Sequence, residues 1–122
     1  MATSIRKQLS DALAPHLPGI RIIPNNRNVD VPDRPFAQIS LMEIDRLPEA
    51  PIGAHRATFT VTVVTPLTTP QKAEDDLDAL VGDLVYAIDQ IDWLDWEVAK
   101  KVVYGERHLA YDVTVHAVTT KN

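Results

Sequence analysis

Histidines and carboxylates are the side chains in this sequence that could move a proton or hold a metal. There are four histidines, His16, His55, His108 and His116, and no cysteine. Without cysteine there is no thiolate nucleophile, no disulfide and no zinc–sulfur site. His108, Asp112 and His116 recur every four residues in a run that alternates as a strand does, so they share one strand face. Residues four apart on a strand are separated by about 13 Å, too far to share one ion. Exposed or interface histidines are therefore the preferred reading. Asp92, Asp95 and Glu97 surround Trp93 and Trp96. They could form an acid–base pair in a cleft. Solvated acids at a helix-to-strand turn are the simpler and favoured account. The two tryptophans, Trp93 and Trp96, read first as core or rim anchors, with a role as interface hot spots left open. None of the four glycines, Gly19, Gly53, Gly82 and Gly105, belongs to a phosphate-binding loop or dinucleotide fingerprint. No serine occupies a Gly-x-Ser-x-Gly elbow. The expectation is a chain with no catalytic residues, no metal and no cofactor.

The element that must position everything else spans Thr69 to Ile91. Leu77, Leu80, Val81, Leu84, Val85, Ile88 and Ile91 fall at three- and four-residue spacings, the period of a helix with one buried stripe. Thr69 suits the N-cap and Pro70 the first helical position, where no N–H is needed. Glu74, Asp75 and Asp76 sit in the early turns, where carboxylates favour the positive end of the helix dipole. Asp83 and Asp89 lie off the stripe, facing water. A shorter helix starts at Thr3 or Ser4 and runs to about Ala14, with Ile5, Leu9 and Leu13 on one side. Pro15, Pro18 and Gly19 end it.

The remaining pattern has period two. Ile20–Ile23 is a short strand. Phe36–Asp45 is a second, with Ala37, Ile39 and Leu41 alternating with Gln38 and Ser40. His55–Thr65 is a third, with Ala57, Phe59, Val61 and Val63 on one face. Trp96–Tyr104 follows the long helix, with Trp96, Val98, Val102 and Tyr104 expected on one face. Gly105, Glu106 and Arg107 make a tight connection to a strand from His108 to about Thr119, whose Leu109, Tyr111, Val113 and Val115 join the core. The order α-β-β-β-α-β-β predicts a single-domain, two-layer α+β fold over residues 1–122. Its mostly antiparallel sheet of four to five strands carries both helices on one face.

Two surface features suggest contacts with other chains. Gln38, Ser40, Thr58, Thr60, Thr62 and Thr114 point away from the core, with Phe36 and Met42 among them, and carry little charge. A Thr-rich exposed sheet is one reading; a face partly covered by another subunit is the other. Proline-bearing stretches at 24–35 and 46–54 flank the second strand, as loops at opposite ends of the sheet. In the second stretch, Leu47 and Ile52 are apolar residues on a stiffened arm, suited to anchor a neighbouring protomer. The candidate interface residues are thus Leu47, Ile52, Thr58, Thr60 and Trp93. The net charge of −5 argues against general nucleic-acid binding. The N-terminus lacks the apolar run of a signal peptide. No stretch approaches the roughly 20 apolar residues of a membrane span, so no membrane partner is expected.

Three segments carry a family resemblance. They are Ala73 to Leu84, with the sequence AEDDLDALVGDL; Ile91 to Ala99, IDWLDWEVA; and Val103 to Val115, VYGERHLAYDVTV. In pattern and order the chain resembles the tail terminator proteins of long-tailed phages, most closely those of phages infecting actinobacteria. The resemblance covers most of the chain, most clearly residues 70–118, and rests on no invariant signature. It implies a structural virion protein, assembled in the host cytoplasm, that forms a homo-oligomeric, six-membered ring at the head-proximal end of the tail tube. Such a ring stops tube growth and provides the surface that joins the head. Its partners would be its own copies, the tail tube protein and a head-closure or neck protein. DNA would pass through the lumen without specific binding. The family carries no catalytic residues to transfer. Another neck component, such as a head-closure or stopper protein, is the nearest alternative. A small ligand-binding domain or enzyme is a more distant one.

Overall fold

A computed structural model describes residues 4–23, 34–46, 54–104 and 108–120 of the chain. Helix α1 spans Ile5–Leu13, and the Ser4 side chain caps it by accepting a hydrogen bond from the Lys7 amide at 3.1 Å. Where Pro15 was expected simply to end this helix, one 3₁₀ turn, Ala14–His16, intervenes. Strand β1 is Arg21–Ile23, β2 is Phe36–Arg46 and β3 is Ala54–Val64. Helix α2 runs from Pro70 to Asp89 with Thr69 as N-cap; its hydroxyl makes no capping bond, and Pro70 removes an N–H that would otherwise lack a partner. Strand β4 is Leu94–Tyr104 and β5 is His108–Thr120.

The five strands form one sheet in the order β1-β2-β3-β5-β4. The fold is α+β, and the sheet is mixed. β2–β3, β3–β5 and β5–β4 are antiparallel, but β1 runs parallel to β2, pairing Arg21 to Ile23 with Phe36 to Gln38. A parallel neighbour needs a long return connection, and residues 24–35 supply the length.

Helices and sheet share one main core. Leu9 and Leu13 from α1 and Leu77, Leu80, Leu84, Ala87 and Ile88 from α2 meet Ala37, Ile39, Ala57, Phe59, Val61, Val63, Val113, Val115 and Ala117 from three strands. In register, Phe59 sits between Leu41 and Val115, and Val61 between Ile39 and Val113. The alternating apolar positions of β2, β3 and β5 therefore form one continuous floor under the helices.

Strand β4 departs from its expected facing. Trp96 pairs with Val115 on the helix side, but Val98 pairs with Thr114 on the other side. Glu97 is one extra residue, a β-bulge that reverses the facing of every residue after it. Val98, Val102 and Tyr104 consequently share the outer face without Trp96. A similar shift between Leu41 and Glu43 makes Met42 the extra residue of β2.

The outer face is also less uniformly polar than its Thr-rich sequence implies. At one end Ile23, Phe36, Val64 and Ala110 are buried in a second apolar cluster with Val102 and Tyr104 packed on it. The Tyr104 ring meets Phe36 edge-on, with centroids 5.3 Å apart and planes at 79°. The small Ala110 lies between these strands and leaves room for the tyrosine to reach over. Phe36, expected on an open face, is only 1% exposed, and Gln38 is also buried.

Candidate subunit interface

The other end of the outer face is polar and joined across strands. Thr58 on β3, His116 on β5 and Asp95 on β4 occupy one row of the register, with Glu43 of β2 at its end. The Thr58 hydroxyl lies 3.2 Å from His116 Nδ1, and His116 Nε2 lies 3.3 Å from Glu97 Oε2. The bulge makes the second contact possible, since it aims Glu97 at a histidine one row away. One row group further along, the Thr62 hydroxyl donates to Asp112 Oδ1 at 2.6 Å. On the other side of the Thr58 row, Asp45 and Arg56 oppose each other on β2 and β3 and form an ion pair at 2.7 Å. Thr58, Thr60, Thr62, Thr114 and His116 are each half-buried. Short β-branched side chains tied to their cross-strand neighbours make this patch flat and stiff, because little rotamer freedom remains to be lost on contact.

The acids near the tryptophans serve the fold. Asp89 Oδ1 accepts from the Trp96 indole at 3.2 Å and so links the end of α2 to β4. Asp95 Oδ1 accepts from the Trp96 amide at 2.9 Å. Glu97 faces His116, and Asp92 is exposed. His108, Asp112 and His116 share the outer face of β5 through the alternation of that strand, but His116 and Asp112 have separate partners. Among the described residues no three histidine or acidic side chains gather to hold a metal ion. No described helix is long and apolar enough to cross a membrane.

The expected interface residues divide three ways. Thr58 and Thr60 lie together on the outer face. Trp93 is half-buried against the helix-side core, and its carbonyl accepts from the Val118 amide at 3.0 Å. It is not brought to the same surface as the threonines. Leu47 and Ile52 lie outside the described residues.

Sequence reasoning missed the apolar rim of β2. β1 pairs with β2 only as far as Gln38, so among the described residues Ser40 to Arg46 have no strand on that side. Met42 is 64% exposed and Ile44 56%. A signal was present in the spacing: helix-side positions run Ala37, Ile39, Leu41 and then Ile44. That step of three breaks the two-residue period where the bulge occurs. The opposite rim, β4, carries exposed Lys100, Lys101 and Val103. Lys101 is drawn toward the body of the protein, 4.0 Å from Glu74 and 5.9 Å from the centre of the Tyr111 ring. Comparison with protein-family models and with curated proteins finds no match to this chain.

Proposed function

We propose that this chain is a structural protein of a phage virion, a protomer of a ring that ends the tail tube on the side facing the head. Ring formation needs two unlike surfaces on one protomer, so that each copy binds the next in the same sense until the circle closes. The observation that carries the reading is a single sheet with two unlike rims, β2 with exposed Met42 and Ile44 and β4 with exposed Lys100 and Val103. Between them lies a polar face on which Thr58 and Thr62 bond across strands to His116 and Asp112, suited to a broad contact through polar and charged groups. The resemblance of residues 70–118 to tail terminators supplies the virion context, and the six-fold copy number comes from that resemblance alone. The acidic net charge suits a lumen that lets DNA pass without holding it, because like charges repel.

Native mass measurement, with negative-stain images of the same sample, tests the ring. The expected result is a closed oligomer with a central hole in end-on views. A protein that stays monomeric at the concentrations of assembly, with or without tail tubes, would refute it.

A further inference from the structure

We propose that neighbouring copies join edge to edge, the free rim of β2 in one copy pairing antiparallel with β4 of the next, in a staggered register that sets Glu43 against Lys100. This rests on the ring reading and specifies its contact. Strand directions permit it. β2 is antiparallel to β3, β3 to β5 and β5 to β4, so β4 runs opposite to β2. A copy rotated about an axis to which the strands are moderately inclined keeps the sense of these directions. Its β4 therefore arrives antiparallel to the β2 rim and can extend the ladder from Ser40 to Arg46, where among the described residues no strand pairs on that side.

Charge selects the register. Glu43 lies in the row of Thr58, His116 and Asp95. An unstaggered junction would set Glu43 against Asp95 of the next copy, with Glu97 beside it, and like charges directly opposite are destabilising. Lys100 lies in the row of Asp112, Thr62 and Gln38, four residues away along β3, or about 13 Å. A shift by that amount replaces Asp95 with Lys100. Both Glu43 and Lys100 are exposed, both are on the outer face, and among the described residues neither has an ion-pair partner. The same shift sets the exposed Ile44 opposite Ala99, and both are on the helix side, paired with Ala57 and Val113 in their own sheets. A sheet closed on itself requires such a stagger, because its strands incline to the axis.

The competing contact is a two-fold one between β2 rims. Centred on Ile44, it would oppose Glu43 to Asp45 of the second copy; centred on Glu43, it would oppose that carboxylate to itself. Both arrangements bring acids together.

The cysteine-free chain allows a direct test. Opposed residues on antiparallel strands have Cα atoms about 4.5–5.5 Å apart, within the range a disulfide spans. The double variant Glu43→Cys/Lys100→Cys, oxidised under assembly conditions, is expected to give a covalent ladder ending at the closed ring. Each single variant should give no ladder. Separately, Glu43→Lys should raise the concentration needed for assembly about tenfold or more. Adding Lys100→Glu in the same chain should restore it. A ring seen by mass with no cross-link in the double variant and no effect of Glu43→Lys overturns the proposed junction but leaves the ring reading standing. Efficient dimer cross-linking by Glu43→Cys alone overturns it in favour of the two-fold contact. Absence of any ring, for the unmodified chain as well, overturns both.

Discussion

Thr65 is a fully buried polar residue immediately after β3, and its hydroxyl has two roles. It donates to Asp76 Oδ2 at 2.7 Å and accepts from the Leu67 amide at 3.2 Å. These bonds tie the strand end, the turn after it and the second turn of α2 into one unit. A buried hydroxyl with both roles filled is worth more than its replacement by a methyl group. Thr65→Val keeps the shape and removes both bonds, so a loss of about 1–3 kcal/mol is expected from urea unfolding. Leu84 lies at the centre of the α2 stripe and is fully buried between helix and sheet. Leu84→Ala should cost about 2–5 kcal/mol, and Leu84→Asp should prevent folding, since an unpaired charge has no partner there. An unchanged melting temperature for Leu84→Asp would refute the orientation of α2. The α2 stripe was legible in the sequence because helical period alone specifies it. The partner of Thr65 was not, because no local pattern says which of several nearby acids will face a buried hydroxyl.

At the scale of elements, periodicity located the two described α-helices and the five described strands to within a few residues, but not the 3₁₀ turn at Ala14–His16 or the facing of β4. Strict alternation from Trp96 groups it with Val98, Val102 and Tyr104, whereas the extra residue at Glu97 separates them. Bulges follow from the competition of two faces for partners, and those partners lie on other strands. Here the helix side takes Leu94 and Trp96, and the outer cluster takes Val102 and Tyr104. The parallel start of the sheet was hidden for a related reason. A three-residue strand carries no mark of direction, and its connection decides. Deleting Glu97 should force one of these two sets off its core. A fall in melting temperature of about 10 °C or more is expected, from the loss of several buried side chains in a domain of this size. Circular dichroism on heating would measure it. A deletion variant as stable as the parent chain would mean that the bulge does not reconcile the two faces.

At the scale of the whole molecule, the proposed function rests only on resemblance and on what the surface offers. Thr58 and Thr60 could be assigned to an outer face by alternation, and they lie there. That no described strand pairs with Ser40 to Arg46 on the β1 side could not be foreseen, since it depends on how few residues β1 pairs. The proposed role of the chain is to end tail-tube growth. It is tested most directly by polymerising tail tube protein with and without this protein and measuring tube lengths in negative-stain images. Capped tubes whose growth stops when the protein is added, with ring-shaped density at one end only, are the expected result. Tubes that keep growing at the same rate, with no density at either end, would contradict it.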